Sequence, residues 1–176
     1  MEHPSVTQVL SQYSDYSKIR DDVLCSAMER GTDVHKACAA YAANHFCVIP
    51  RHLHGYFKSF TRWYDKYVLK SLWVEHRGTN IQWGYTGGPD LVVLMADQIA
   101  TLIDLKTAAQ PQSLWSLQVA AYANLPEIQA LKPKKFGTLQ PRKDGSEARF
   151  IEIENTNQKF SVFLSMLNVY RFLNSK

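Results

Sequence analysis

The stretch LVVLMADQIATLIDLK, residues 91–106, decides the fold of this chain. Its two apolar runs lie on either side of Ala96-Asp97-Gln98, which is the pattern of an antiparallel β-hairpin with a three-residue loop. If the middle residue of that loop is the pivot, the numbers of paired residues add up to twice 97. The sequence therefore predicts that Leu91 faces Ile103 across the hairpin.

The charged residues at the open end of this hairpin point to function. The same register sets Asp90 opposite Asp104, and cross-strand partners have Cβ atoms about 4.5–5.5 Å apart. Two like charges at that distance destabilise a sheet unless a cation lies between them. Because side chains alternate along a strand, Lys106 shares a face with Asp104. The sequence therefore predicts that Asp90, Asp104 and Lys106 converge on one spot.

This combination of groups favours metal-assisted hydrolysis. Two carboxylates and a nearby backbone carbonyl, for which Leu105 is placed, make a hard oxygen site suited to Mg²⁺ or Mn²⁺. Such an ion lowers the pKa of water and polarises a phosphoryl oxygen, and Lys106 adds positive charge where negative charge develops on phosphorus. The alternative is an ordinary ion pair between Asp104 and Lys106 at a strand end, with Asp90 in a turn.

Outward from the hairpin, the spacing of apolar residues divides the chain into helices and strands. The predicted helices are residues 6–28, residues 32–46, a helix after Gly55 that ends near Lys70, residues 113–125 and residues 160–173. Thr32 and Ser113 are the expected N-caps of the second and fourth helices. A break between Pro50 and Gly55 precedes the third helix, and the fourth is entered through Pro111 and stopped by Pro126. The predicted strands are residues 72–76, 81–85, 91–95, 100–105, 136–141 and 149–154. The last two are joined through Asp144-Gly145, which is a strong hairpin signal.

This order of elements predicts an α/β or α+β sandwich. At 176 residues the chain is expected to form one domain. Within it we expect N-terminal helices in residues 1–70, a catalytic core in residues 71–125, and a C-terminal hairpin and helix in residues 132–174.

Composition narrows the class of protein. A formal net charge of +4 permits a polyanionic partner without requiring one. No secretory signal and no apolar run of membrane-spanning length are visible, so we expect a cytoplasmic protein without a membrane partner. Cys25, Cys38 and Cys47 are an odd number without a C-x-x-C pair, which argues against a disulfide framework and a zinc ribbon and favours reduced, buried thiols.

Three short motifs follow one another along the chain: Gly87-Gly88-Pro89-Asp90, Ile103-Asp104-Leu105-Lys106-Thr107 and Gln118-Val119-Ala120-Ala121-Tyr122. This succession resembles the PD-(D/E)XK nuclease superfamily, and in particular its RecB-like exonuclease branch. The resemblance implies a restriction-endonuclease-like core, in which a central mixed sheet containing the hairpin is flanked by helices. It also implies that Asp90 and Asp104 are metal ligands, that Lys106 is the catalytic lysine, and that Gln118 and Tyr122 share a helix face that looks onto the active site and the DNA backbone.

Two further residues match the resemblance less closely. His35 is similar to a helical histidine found in an early motif of RecB-like nucleases, which would make it a further metal ligand. Glu75 resembles an acidic residue on the strand before the hairpin. A structural histidine and a solvated strand residue remain the alternatives, and His45, His52 and His54 are weaker candidates. Since no cysteine follows Cys47, an iron–sulfur cluster is not expected.

The expected function is a Mg²⁺- or Mn²⁺-dependent deoxyribonuclease, most simply an exonuclease of DNA repair, recombination or phage DNA processing. The alternatives are a restriction or junction-cleaving endonuclease and a non-catalytic DNA-binding protein of the same fold. The expected partner is single- or double-stranded DNA, with a protein partner or a second copy of the chain left open. Candidate DNA contacts are Lys58, Arg62, Lys66 and Lys70 along one helix, Lys132, Lys134, Lys135, Arg142 and Lys143 around the last hairpin, and Trp73, Trp83 and Trp115 as stacking platforms. The alternatives are a solvated face for the basic residues and a core position for the tryptophans.

Overall fold

The fold is a mixed sheet of five strands with helices on both faces, seen in a computed structural model that describes residues 3–15, 17, 19–108 and 112–174. The helices are α1 (Val6–Ser11), α2 (Asp21–Ala42), α3 (His54–Tyr67), α4 (Ser113–Ala123), α5 (Pro126–Ala130) and α6 (Thr156–Asn174), with a 3₁₀ turn at Arg51–Leu53. The strands are β1 (Val68–Val74), β2 (Gly78–Asn80), β3 (Tyr85–Gly87), β4 (Leu91–Met95), β5 (Ala100–Leu105), β6 (Lys135–Gln140) and β7 (Arg149–Glu152). Among the described residues, no helix has both the length and the apolar character needed to cross a bilayer.

The strand order in the main sheet is β1-β4-β5-β6-β7. Strands β5 and β6 run parallel, while the other neighbouring pairs are antiparallel. Strands β2 and β3 form a separate two-stranded antiparallel sheet. The predicted α+β class is therefore confirmed, and so is the antiparallel pairing of the last two strands of the main sheet.

The central hairpin has the predicted register. Leu91 pairs with Ile103, and beyond the last paired residues the amide of Met95 donates to the carbonyl of Ile99 at 3.0 Å. Gln98 closes the three-residue loop with φ of 64°, in the left-handed region that such loops require. The two apolar runs and the three-residue loop between them were therefore sufficient to predict this pairing.

The two N-terminal helices predicted from the sequence are wrong in their boundaries. The first ends at Ser11, and α2 then runs without interruption from Asp21 to Ala42. Thr32 is not an N-cap but lies inside α2, where its hydroxyl donates to the carbonyl of Met28 at 3.1 Å. A threonine hydroxyl can bond the carbonyl four residues earlier within a helix, so its presence did not mark a helix start.

The boundaries around α3 also differ from the prediction. The helix ends at Tyr67 and β1 follows at once, so Lys70 lies on a strand. Gly55 lies inside α3 rather than at a break. A Cβ atom there would lie 1.7 Å from the carbonyl oxygen of Lys143, and close approach of another backbone segment is what requires glycine at this position.

Two other predicted elements are corrected. Residues 81–84 form the turn between β2 and β3 instead of a strand. Ser113 is the first residue of α4 and Gln112 is its N-cap, while Pro111 lies outside the described residues. Helix α4 ends at Ala123, before Pro126, which is the first residue of α5 and suits that position because its missing N–H would be unpaired there.

Two apolar cores cover the two faces of the sheet. Helices α1, α4 and α6 pack over Val92 and Leu102, and helices α2 and α3 pack over Leu91, Val93 and Ile103. Strands β4 and β5 are thus buried on both sides, which explains their nearly continuous apolar sequences. The charged residues at their ends are correspondingly drawn into a partly desolvated environment.

The cysteines do not share one environment. Cys38 is buried on the inner face of α2, as predicted for a small hydrophobic residue, and Cys47 is half-buried. Cys25 is exposed on the first half of α2, which corrects the prediction for that residue. The reason is that this half of the helix extends beyond the core that covers its second half.

Candidate metal centre

The candidate site lies at the end of β4 and β5, where four separate segments of the chain meet. Asp90 directly precedes β4, and Asp104 is the last residue but one of β5. Helix α2 contributes His35, and Glu75 directly follows β1. The sheet positions the first two residues, whereas the packing of α2 and β1 brings in the other two.

Three of these side chains form a cluster with the composition of a metal site. One ligand atom each of His35, Glu75 and Asp90 lies within 4.8 Å of the others. The Nδ1 atom of His35 is 2.9 Å from Oδ1 of Asp90. Two carboxylates and an imidazole are suitable ligands for Mn²⁺, and the carboxylates also suit Mg²⁺.

Asp90 is held from several directions. Its Oδ2 accepts a hydrogen bond from the amide of Leu105 at 2.5 Å, and its carbonyl accepts one from the amide of Glu75 at 2.9 Å. Burial alone would raise the pKa of Asp90, but the charge and hydrogen bond of His35, together with Lys106, outweigh burial and lower it. The carboxylate is therefore ionised and fixed in orientation, as a metal ligand should be.

The sequence predicts that Asp90 faces Asp104 across the hairpin, but the regular pairing of the two strands ends one residue before this pair. The paired ladder ends at Leu91 and Ile103, and the Asp90 side chain then crosses to the amide of the residue after Asp104. Leu105 thus contributes its N–H to the site, while the ligand role of its carbonyl stays a prediction.

Asp104 and Lys106 form a buried ion pair. The Asp104 residue is only 3% exposed, and the ammonium of Lys106 lies 2.5 Å from its Oδ2. Apart from this ammonium, that buried oxygen has no polar partner among the described residues. Burial and the negative charge of Asp90 raise the pKa of Asp104 despite the nearby lysine.

Burial and the nearby charge of Asp90 both act on the pKa values of His35 and Glu75, which are both raised. Burial disfavours the charged imidazole, but the charge of Asp90 and the hydrogen bond to it prevail, so the pKa of His35 is raised. Partial burial of its carboxyl and the negative charge of Asp90 raise the pKa of Glu75. Negative charge is thus concentrated where a divalent cation would neutralise it.

Glu75 also has an unusual backbone. Its φ of 52° lies in the left-handed region, which is uncommon for a residue other than glycine. Such a conformation costs on the order of 1–3 kcal/mol and is found preferentially at functional sites. Although the residue as a whole is exposed, its backbone bond to Asp90 ties it to the cluster.

Lys106 is positioned by a chain of side chains from α4. Its ammonium donates to Oε1 of Gln118 at 2.9 Å, and the Gln118 amide donates to the hydroxyl of Tyr122 at 2.8 Å. The ammonium also lies 5.9 Å from the centre of the Trp115 ring. Tyr122 is 5% exposed, and burial raises its pKa. The predicted shared face of Gln118 and Tyr122 exists, and it orients the lysine.

Sequence reasoning missed two members of this site. The contact with Lys106 makes Trp115 part of the lysine environment rather than only a core or stacking residue, and its position three residues before Gln118 was the available signal. The amide of Leu105 could not be foreseen because backbone donors have no signature in the sequence. Among the weaker histidines, Nε2 of His54 contacts the carbonyl of Ile49, and none of the three belongs to the cluster.

The basic residues proposed as DNA contacts are partly engaged elsewhere. Lys66 pairs with Glu147 at 3.0 Å, Arg62 donates to the carbonyl of Gly145, and Lys135 pairs with Asp97. Because Lys70 lies on β1, the four residues do not form one helical row. Of the candidate stacking residues, Trp83 is exposed, Trp73 is half-buried and Trp115 is buried.

Comparison with models of known protein families gave no match, and comparison with curated proteins gave none either. Any function must therefore be argued from the site itself.

Proposed function

We propose that this chain is a Mg²⁺- or Mn²⁺-dependent DNA nuclease, similar to the RecB-like branch of the PD-(D/E)XK superfamily and acting as an exonuclease. The observation that carries the proposal is the buried pair of Asp104 and Lys106 beside the His35, Glu75 and Asp90 cluster. Removing two charged groups from water costs several kcal/mol each unless they are well compensated. A purely structural role gives little reason to retain both of them next to two further carboxylates.

The residues divide into two tasks. His35, Glu75 and Asp90, whose ligand atoms already cluster, would hold the divalent cation together with the neighbouring Asp104. When bound, the cation supplies a Lewis acid for the phosphoryl group. Lys106, oriented by Gln118, provides positive charge close to the scissile phosphate, where negative charge increases in the transition state.

The proposal is tested by incubating the purified protein with linear DNA in Mg²⁺, in Mn²⁺ and in EDTA. We expect hydrolysis with either metal and none with EDTA. A closed circular substrate distinguishes the two modes of cleavage, because only an endonuclease can cut it. Folded protein that leaves single- and double-stranded DNA intact with both metals would contradict the proposal.

A metal titration tests the assignment of His35. Even the loss of an outer partner of a metal ligand typically costs 10–100-fold in affinity. Since His35 is assigned as a direct ligand, we expect His35→Gln to weaken Mn²⁺ binding by at least about tenfold. The matched control is His52→Gln, since His52 is an exposed histidine outside the cluster. Calorimetric titration of the intact chain measures both, and equal affinities for wild type and His35→Gln would return His35 to a structural role.

A further inference from the structure

A groove of about 1300 Å³ lies between α2 and β1 and leads to the candidate metal centre. Both His35 and Glu75 line it, so the groove and the metal cluster share two residues. Sites for small molecules usually measure about 300–1,000 Å³. The size of this groove and its continuity with the cluster favour a polymer as its occupant.

The charges in the groove favour a polyanion. Lys36 on α2 and Lys70 on β1 both line it and are exposed, and Glu75 is the only acidic residue in its lining as described. Neither lysine has an ion-pair partner within residues 3–15, 17, 19–108 and 112–174. Both ammonium groups are therefore available to phosphates.

The rest of the lining includes a large apolar area. On the helical side the apolar residues include Ala39, Ala40 and Ala43, which directly follows α2, and on the strand side Leu69, which is 54% exposed. A duplex presents mainly its phosphates to a protein surface, because its bases are stacked and paired inside. Unpaired bases offer apolar faces as well. Lysines combined with apolar area therefore fit a single strand better than a duplex.

The strand side of the groove is an edge of the sheet. Strand β1 is the first in the order of the main sheet, and residues 69–76 line the groove without interruption. The pairing of β1 with β4 shifts register at Leu69 and at Leu72. Bulges of this kind make an edge unsuitable for addition of another β-strand, which argues against an extended polypeptide as the occupant.

We propose that this groove binds a segment of single-stranded DNA and delivers its phosphodiester backbone to the metal cluster. Lys36 and Lys70 contact phosphates on the two walls, and the alanine side chains and Leu69 contact unpaired bases. This inference rests on the proposed nuclease function, and it assigns the substrate of that site as a single strand.

The test is the affinity for a fluorescein-labelled oligothymidine in EDTA, where no hydrolysis occurs, measured by fluorescence anisotropy over a range of salt concentrations. We expect the double variant Lys36→Glu/Lys70→Glu to bind at least about tenfold more weakly than wild type. Because each phosphate contact contributes about 0.7 to the salt dependence of single-strand binding, the slope should fall by between about one and two. A duplex of the same length should bind more weakly to wild type than the oligothymidine does.

The matched control is Arg51→Glu/Arg149→Glu, which changes the net charge equally at two exposed residues outside the groove lining. An equal loss of affinity in this control, or unchanged affinity in the groove variant, would overturn the groove assignment. Tighter binding of the duplex than of the single strand would also overturn it. If the protein hydrolyses DNA but its affinity for the single strand does not depend on Lys36 and Lys70, only the groove assignment is contradicted. Strand binding that depends on both lysines, without metal-dependent hydrolysis, supports the groove and contradicts the nuclease function.

Discussion

Replacing Asp104 with asparagine is expected to lower the rate of DNA hydrolysis by at least about a thousandfold while the chain still folds. The amide has nearly the same shape as the carboxylate but lacks the negative charge that a divalent cation requires. A metal that stabilises the transition state contributes several kcal/mol, and each 1.36 kcal/mol is a factor of ten in rate. Steady-state hydrolysis of linear DNA with Mn²⁺ measures the effect.

The control for this variant is Asp97→Asn at the opposite end of the same hairpin. Asp97 is an exposed loop residue that pairs with Lys135, so its replacement should leave the rate within about twofold of wild type. Circular dichroism should show the same helical content for both variants. An Asp104→Asn protein that keeps more than a tenth of the wild-type rate would remove Asp104 from the catalytic centre.

Replacing Lys106 with methionine is expected to affect both activity and stability. Loss of a donor that stabilises transition-state charge costs about 10²–10³-fold in rate. Removing one partner of a buried ion pair typically costs about 3–5 kcal/mol, because the other charge is left without compensation. Asp104 is that other charge, since it is buried and Lys106 is its ion-pair partner.

The stability of Lys106→Met should also depend on pH, measured without metal. The pKa of Asp104 is already raised in the folded chain, and loss of the lysine raises it further. As pH rises, the unfolded chain, in which this carboxyl has a pKa of about 3.9, loses the proton at a lower pH than the folded chain does. Stability is therefore lost as pH rises from about 4 through the folded pKa, and the deficit in Tm relative to wild type should be larger at pH 8 than at pH 5.

Two controls isolate this effect. In the double variant Asp104→Asn/Lys106→Met, neither charge is present, so the pH-dependent part of the deficit should disappear. Lys135→Met removes a surface lysine from its pair with Asp97 and should change the free energy of unfolding by about 1 kcal/mol or less. A deficit in Lys106→Met that is the same at every pH would show that Asp104 does not respond to the lysine.

Local patterns were sufficient wherever a signal is confined to neighbouring residues. The apolar runs on either side of Ala96-Asp97-Gln98 predicted the hairpin and its register, and the spacing of four placed Gln118 and Tyr122 on one helix face. Boundaries were less predictable. Thr32 resembles an N-cap, but the packing of Val34 and Cys38 in the core continues α2 through it.

The sequence by itself determined the hairpin, the three charges at its open end, and the α4 face that meets them, because alternation and helical spacing act over a few residues. Only the tertiary structure decided which groups those charges contact. The packing of α2 on the sheet brings His35 to Asp90, and the end of β1 brings Glu75 beside both. These contacts join residues 15 to 55 positions apart, and their geometry depends on how whole helices and strands pack, which no local pattern specifies.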